Sequence, residues 1–140
     1  RHDALYASLS LVPGSVGWST DICVPISQLA TCILETQKEL IQDGLFAPLV
    51  GHVGDGNFHL LYLIEPGDEA SMAKAKEHAS RMVHRAIELG GTCTGEHGVG
   101  YGKMHYLEEE HGAGAIGVMQ TIKTALDPKN LMNPGKVVDF

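Results

Sequence analysis

The chain has 140 residues, of which 44% are apolar and 19% charged, a composition typical of one globular domain with its own hydrophobic core. Ten basic residues stand against seventeen acidic ones, which gives a formal net charge of −7. Nucleic-acid binding needs a positively charged surface, so this charge excludes nucleic acid as a partner. The apolar runs are far shorter than the ~20 residues needed to cross a bilayer, and we expect no transmembrane segment.

The three cysteines, Cys23, Cys32 and Cys93, are odd in number, widely separated and without CxxC spacing. This pattern favours reduced, buried thiols over a disulfide framework. We therefore expect a cytoplasmic or similarly reducing compartment.

Hydrophobic spacing predicts alternating strands and helices after an opening segment of helical character. That opening lacks an initial methionine, and we interpret the chain as a piece of a longer protein. Pro128 and Pro134 exclude a further long helix near the end of the chain. The predicted strands are 16–25, 46–53, 57–65 and 91–98, and the predicted helices are 27–44 and 69–89.

The resulting order β-α-β-β-α-β predicts a ferredoxin-like α+β sandwich, in which two helices cover an antiparallel sheet. We predict a single domain over residues 1–140, of which 112–140 form a C-terminal helical tail. In this topology the first and third strands form the central pair, and the fourth strand lies beside the first.

The stretch GHVGDGNFH places two histidines on either side of the dipeptide Asp55-Gly56. Asp-Gly between two strands is a strong signal for a two-residue hairpin turn. Such a turn predicts that His52 lies directly opposite His59 on one face of the sheet, with Cβ atoms ~4.5–5.5 Å apart. Two imidazoles held in this way can share one metal ion. The alternative is that both are hydrogen-bonded structural residues.

A metal site needs a third ligand, and the candidates are Glu96 and His97 in the glycine-rich segment TGEHGVG. Spacing alone does not bring either residue to the histidine pair. Two histidines and one carboxylate with open coordination positions are typical of catalytic rather than structural sites for Zn²⁺, Mn²⁺ or Fe²⁺.

The remaining polar groups are expected to have structural or solvated roles. We interpret Asp55 as a turn former and Lys103 as a surface residue. The glycines of GEHGVGYGK lack the strand, GxGxxG and helix order of a dinucleotide site. Four further histidines are predicted to be solvated: His78, His84, His105 and His111.

Together, GHVGDGNFH, TGEHGVGYGK and LDPKNLMNPGKV resemble the C-terminal domain of FAD-linked oxidases of the vanillyl-alcohol-oxidase type. Within this family the chain is most similar to cytochrome-type D-lactate dehydrogenases and the FAD subunit of glycolate oxidase. The resemblance extends from RHDALY to NPGKVV. It implies an N-terminal FAD-binding domain that this chain lacks, and therefore a chain that is not a competent oxidoreductase alone. Bacterial cytoplasm, membrane surfaces and mitochondria are all compatible with it.

The resemblance also implies roles for individual residues. His52, His59 and Glu96 match the ligands of a divalent metal, Zn²⁺ or Mn²⁺. His97 matches the histidine that contacts the substrate and accepts its hydroxyl proton. Arg1 resembles the arginine that binds the substrate carboxylate.

Further positions bear on the cofactor and the substrate. Asn133, in the NPGK tail, resembles a residue at the interface with the flavin domain. Leu61 stands where 2-hydroxyglutarate dehydrogenases have an asparagine, and Ser19-Thr20-Asp21 stands where they have a lysine before Tyr-Asp. These departures imply a smaller and less charged substrate, such as lactate.

The implied function is the substrate- and metal-binding part of a flavin-dependent dehydrogenase that oxidises a small D-2-hydroxy acid, D-lactate or glycolate, to the 2-oxo acid. The alternative is a non-catalytic ferredoxin-like module that binds a metal or another ligand, or that forms a homodimer. Fold alone does not decide between them.

Overall fold

A computed structural model describes residues 2–139 of the chain. The chain forms two compact units, Arg1–Glu96 and His97–Phe140. The helices are α1 (His2–Ser10), α2 (Ile26–Asp43), α3 (Glu69–Glu88) and α4 (Leu107–Leu126), and the strands are β1 (Val16–Ser19), β2 (Ile22–Cys23), β3 (Leu49–His52) and β4 (Asn57–Ile64). The prediction of a single domain over the whole chain stays a prediction.

The sheet of the first unit is small and antiparallel, with β4 at its centre. Strands β1 and β2 pair with one edge of β4, and β3 pairs with the other edge. A single bridge between Cys23 and Thr92 lies next to β2, where the fourth predicted strand was expected. The α+β fold class with an antiparallel sheet is thus confirmed.

Three of the predicted strands are markedly shorter in the structure. The strand predicted over 46–53 is limited to Leu49–His52, and the strand predicted over 16–25 is interrupted at Thr20 and Asp21, between β1 and β2. The strand predicted over 91–98 is reduced to the one bridge at Thr92, and the backbone of the residues that follow is bound by the side chain of Asp21 instead.

The helices of the first unit follow the predicted apolar spacing. Helix α2 ends at Gly44 as predicted, but its N-cap residue is Pro25 rather than Ser27. Helix α3 begins after Asp68, whose side chain accepts a hydrogen bond of 3.0 Å from the amide of Ser71. The predicted apolar stripe of α3 is buried at Ala75, Ala79, Met82, Val83 and Ala86, and Met72 is partly buried.

The core lies on one face of β4. Phe58, Leu60, Tyr62 and Ile64 alternate along the strand and are all buried. Tyr62 contacts His78 of α3, so this face is covered by the helices. Burial of each large apolar side chain contributes ~1.5–3 kcal/mol, which makes this face a main source of stability.

His78 is fully buried, and the prediction that it is solvated is wrong. The hydroxyl of Tyr62 donates to Nδ1 of His78 over 2.5 Å, and Nε2 of His78 donates to the carbonyl oxygen of Thr36 over 3.3 Å. The apolar stripe of α3 is wide enough to include this position, and both ring nitrogens have partners there. Burial lowers the pKa of His78, which keeps the imidazole neutral. The other three histidines, His84, His105 and His111, are exposed as predicted.

The second unit consists of α4 and a turn-rich C-terminal segment. Helix α4 contains a non-helical residue at Gly112, with φ 80° and ψ 154°, that separates its first turn from the rest. Among the described residues no helix follows Leu126, in agreement with the two prolines. After the helix, the carboxylate of Asp127 accepts hydrogen bonds from the amides of Leu131 (2.9 Å) and Met132 (2.8 Å).

Two predictions concern the described residues as a whole, namely that no helix spans a membrane and that no disulfide forms. None of their helices combines the length and the apolar character required for a membrane span. Cys23, Cys32 and Cys93 are free thiols, as predicted.

Candidate metal centre

The hairpin of β3 and β4 places His52 and His59 on one face of the sheet, but not directly opposite each other. A 3₁₀ turn covers Val53–Asp55, and the register pairs His52 with Asn57 and Val50 with His59. The predicted two-residue turn is therefore wrong, and the true register is displaced by two residues. Side chains alternate with a period of two, so this displacement leaves both histidines on the same face.

Gly56 ends the turn with φ 77°, in the left-handed region that favours glycine. A Cβ atom at this position would come within 2.0 Å of the carbonyl oxygen of Val24. The Asp-Gly signal thus indicated a turn correctly, while the loop contains two more residues than a tight hairpin.

Glu96 comes between the two imidazoles. Its Oε1 is 3.1 Å from Nε2 of His59 and 3.7 Å from Nε2 of His52. The two rings are nearly perpendicular, at 89°, with centroids 6.2 Å apart. One ligand atom from each residue lies within 4.8 Å of the other two. The structure therefore brings together the three predicted ligands.

The hydrogen bonding of His59 determines which nitrogen faces this centre. Nδ1 of His59 lies 2.9 Å from the carbonyl oxygen of Thr20. A carbonyl only accepts, so Nδ1 carries a proton, and Nε2 is the nitrogen that faces Glu96. A histidine that donates its other N–H to a backbone carbonyl is the usual arrangement around a bound metal. Either a proton on Nε2 or a bound cation would bridge this nitrogen and the carboxylate oxygen.

The centre is open to solvent on one side. The side chain of His59 is 9% exposed, whereas those of His52 and Glu96 are 33% and 36% exposed. A divalent ion held by these three groups would keep free positions toward the open side. Two imidazoles and a carboxylate suit Zn²⁺ or Mn²⁺, so the donor set fits the implied ion.

Asp21 was not identified as a site residue, although it organises the surroundings of Glu96. It is 2% exposed, and its carboxylate accepts hydrogen bonds from the amides of Gly95 (2.9 Å) and Glu96 (3.0 Å). It also accepts from the hydroxyl of Thr94 (2.9 Å) and from Nδ2 of Asn57 (2.8 Å). In the sequence, Asp21 is an aspartate between two strand-forming segments. Such a position is equally typical of a residue at the edge of a sheet, so the sequence did not mark it as part of a site.

Cys23 lies on the same face of the sheet, paired with Asn57. Its Sγ donates to the carbonyl oxygen of Asp55 over 3.2 Å. Burial raises the pKa of the Cys23 thiol, and the charges of Asp21 and Asp55 raise it further. Among the described residues, the ligand atoms that converge belong to His52, His59 and Glu96, and Cys23 is outside this set.

The structure does not test the other predicted site residues. His97 is exposed and belongs to the second unit. Asn133 is exposed in a turn of that unit, with φ 50°. Arg1 lies outside the described residues. Their roles stay predictions.

Comparison with known proteins decides the family. Residues 1–137 match the family model for the C-terminal domain of FAD linked oxidases. The chain belongs to this family. This confirms the resemblance seen in the sequence.

Relatives from several organisms support the assignment. The probable mitochondrial D-lactate dehydrogenase of Danio rerio is 50% identical over 100% of this chain, and the mitochondrial cytochrome D-lactate dehydrogenase of Arabidopsis thaliana is 46% identical over 99%. The glycolate oxidase subunit GlcD of Bacillus subtilis is 35% identical over 98%. The chain covers 28%, 24% and 29% of these proteins, respectively, so it corresponds to a C-terminal fragment of such enzymes.

A solved structure shows the same fold at low sequence identity. The 4-ethylphenol oxidase of Gulosibacter chungangensis in complex with isoeugenol aligns over 100% of this chain and 27% of its own, with a TM-score of 0.67 and 18% identity. This likeness supports the fold of the family.

Proposed function

We propose that the chain is the substrate- and metal-binding part of a flavin-dependent dehydrogenase that oxidises a small D-2-hydroxy acid to the 2-oxo acid. The observation that carries the proposal is the convergence of His52, His59 and Glu96 on one solvent-open centre. Family membership supports the flavin, and the names of the relatives support D-lactate or glycolate as the substrate.

His52, His59 and Glu96 would hold the divalent ion through Nε2, Nε2 and Oε1. When bound, the ion supplies Lewis-acid polarisation of substrate oxygens. The hydrogen bond from Nδ1 of His59 to Thr20 holds the ring so that its Nε2 stays directed at the centre. The exposed sides of His52 and Glu96 leave the ion accessible to a substrate.

His97 would act as the base in this reaction. It follows Glu96 in the chain, and a neutral imidazole nitrogen can accept the hydroxyl proton. When bound, the flavin would supply the acceptor for the α-hydrogen and its electron pair. Arg1 would bind the substrate carboxylate, so that the substrate has one fixed orientation.

We propose a small substrate because the residue next to His59 on the ligand-bearing face of β4 is apolar. Leu61 lies two residues after His59 on the same face and is 6% exposed. A buried leucine offers no hydrogen bond to a second carboxylate of a longer hydroxy acid. This supports D-lactate or glycolate over 2-hydroxyglutarate.

The FAD would be bound mainly by the remainder of the protein, with Asn133 at the interface. The chain corresponds to about a quarter of its relatives' length (28%, 24% and 29%), which leaves room for an FAD-binding domain outside it. In this proposal the chain alone lacks oxidoreductase activity.

The experiment that tests the proposal is elemental analysis of the purified protein for divalent metal, beside three variants. We expect near-stoichiometric metal in the wild type, its loss in His59→Ala and in His52→Ala/His59→Ala, and its retention in His97→Ala. Turnover of D-lactate by the flavin-containing protein should be lost in His97→Ala, because the base is removed while the ligands remain. Unchanged metal content in the double variant would refute the ligand assignment, and full turnover in His97→Ala would refute the base.

A further inference from the structure

The segment that carries Glu96 is attached to the sheet by one carboxylate. Asp21 lies in the interruption between β1 and β2, at the edge of the sheet. Glu96 lies after the bridge at Thr92, where ladder pairing has ended. Its backbone is therefore not positioned by strand hydrogen bonds.

The hydrogen bonds to Asp21 replace the missing ladder. Oδ2 of Asp21 accepts from the amides of Gly95 (2.9 Å) and Glu96 (3.0 Å), and Oδ1 is 3.2 Å from the same Glu96 amide. Thr94 adds its hydroxyl, at 2.9 Å from Oδ2. Three successive residues thus bind one buried carboxylate, and such charge-assisted bonds are stronger than neutral ones.

Asn57 fixes Asp21 from the other side. Its Nδ2 donates to Oδ1 of Asp21 and to the carbonyl oxygen of Ile22, both over 2.8 Å. The Oδ1 of Asn57 is buried without a hydrogen-bond partner within residues 2–139. The amide is therefore oriented by its two donor bonds, even though its acceptor is left unsatisfied.

Gly95 permits the close approach of the two groups. A Cβ atom on Gly95 would lie 1.9 Å from Nδ2 of Asn57 and 2.8 Å from Oδ1 of Asp21. Both groups are buried and hydrogen-bonded, so neither has space to move aside. Any side chain at this position would push the backbone of Glu96 away from the sheet.

We infer that Asp21 is a positioning residue, which, with Asn57 and Gly95, holds the Glu96 carboxylate in the metal centre. This inference rests on the proposed metal site. Asp21 contributes no ligand atom itself. It acts mainly through Glu96, and its Oδ1 also lies 3.6 Å from Nδ1 of His59. Its removal should therefore weaken metal binding far more when Glu96 is present than when it is absent.

The principal test compares Asp21→Asn with Asp55→Asn by Mn²⁺ titration followed by electron paramagnetic resonance. Asparagine at 21 would turn an NH₂ group toward groups that are themselves donors, whichever way the amide is oriented. We expect ~10–100-fold weaker Mn²⁺ binding for Asp21→Asn, the loss typical of residues that support a ligand. Asp55→Asn removes the same charge from an exposed position in the neighbouring turn and should bind as the wild type does.

A double-mutant cycle separates positioning from a general structural role. In the background of Glu96→Gln, the further change Asp21→Asn should cause a much smaller loss of affinity than it does in the wild type, because the main group it positions is already impaired. Additive losses, or wild-type affinity in Asp21→Asn, would overturn the inference. If Asp21→Asn does not fold, Gly95→Ala replaces it, with Gly54→Ala as the control, since a Cβ atom on Gly54 would meet nothing within 4 Å.

Hydrogen exchange distinguishes this inference from the proposed function. In the wild type, the peptide over 94–96 should be protected, and Asp21→Asn should accelerate exchange there while peptides of β4 stay protected. If the wild type binds no metal but this pattern holds, the proposed function fails and the positioning of Glu96 stands. If metal binds and the protection over 94–96 is unchanged in Asp21→Asn, the positioning role is overturned and the metal site stands.

Discussion

Each face of β4 contacts a cluster of polar groups that contains histidine: Tyr62, His78 and Thr36 on one face, and His52, His59 and Glu96 on the other. The two clusters differ in how their hydrogen-bond donors and acceptors are paired. On the helix-covered face, His78 is fully buried, and its two ring nitrogens bind one donor and one acceptor, Tyr62 and Thr36. On the other face, His59 uses one nitrogen for the carbonyl of Thr20, and its second nitrogen faces the carboxylate of Glu96. In the first cluster both ring nitrogens have a matched partner, whereas in the second a ring nitrogen faces a carboxylate with which it can share a proton or a cation.

The difference separates a structural histidine from a candidate ligand better than burial does. Both imidazoles are largely buried, with His59 at 7% and His78 at 0% exposed. What distinguishes them is the partner of the second nitrogen: a hydroxyl donor satisfies the lone pair of His78, while the carboxylate beside Nε2 of His59 can share either a proton or a cation with it. A polar cluster in which every donor is hydrogen-bonded to an acceptor has no group available to bind a ligand.

The largest expected effect is on the free energy of unfolding, when one histidine is removed from each cluster in turn. His78→Ala should lower the free energy of unfolding by about 3 kcal/mol, because it leaves a cavity and a buried Tyr62 hydroxyl without its partner. His52→Ala, at the open centre, should change the stability of the metal-free protein by less than about 0.5 kcal/mol. Urea denaturation of the two variants measures both values. Equal losses would show that the centre, too, is primarily structural.

Metal content provides a second test of the difference between the two clusters. His78→Ala should retain the metal of the wild type while it folds, because its side chain lies on the opposite face of β4 from the ligands. A loss of metal in folded His78→Ala would mean that the two clusters are coupled through the strand.

A smaller effect is expected when only the hydroxyl of the closed cluster is removed. Tyr62→Phe keeps the ring in the core but leaves the Nδ1 lone pair of His78 buried without its donor. We expect a loss of about 1–2 kcal/mol in the free energy of unfolding. Leu61→Met, on the opposite face of β4, is a volume-conserving control that should cost less than about 1.5 kcal/mol. A neutral Tyr62→Phe variant would show that the 2.5 Å hydrogen bond contributes no net stability.

The smallest expected effect is a pH dependence that belongs to His78. Burial lowers its pKa in the folded state below the ordinary value of 6.5. The unfolded chain therefore takes up a proton first as the pH falls, and its stabilisation relative to the folded state begins near that value. The stabilising contribution of His78 is complete above pH 6.5 and declines from there toward the lower, folded-state pKa.

The comparison of wild type with His78→Gln isolates this contribution. Unfolding free energies measured between pH 7.5 and pH 5 should fall more steeply for the wild type than for the variant, since glutamine does not titrate. Parallel pH curves would show that His78 has the same pKa in the folded and unfolded states.

Much of the fold could be predicted because the signals were local. The apolar stripe of α3 and the stop at Gly44 depend on spacing and on one residue's backbone preference. The shared face of His52 and His59 was predicted despite an incorrect turn, because an error of two residues preserves the side-chain alternation. An error of one residue would have put the two rings on opposite faces.

The parts that could not be predicted depend on contacts between distant segments. The interruption of the first strand at Asp21 could not be predicted from neighbouring residues, because the hydrogen-bond partners of Asp21, Thr94 and Glu96, are distant in the sequence. The burial of His78 depends on Tyr62 and Thr36, neither of which is near it in the sequence. Glu96 was a candidate from its glycine-rich context, but its approach to the histidines followed from the family resemblance rather than from spacing.

The bond between Asp21 and the amide of Glu96 joins residues that are 75 positions apart in the chain. Closing so long a loop is slow and entropically unfavourable, so this contact forms only after the intervening strands and helices have assembled. We therefore expect the ligand centre to form late in folding. An ion bound there, as proposed, would favour the complete native state and raise its melting temperature by mass action, so that metal supply would influence how much folded protein accumulates.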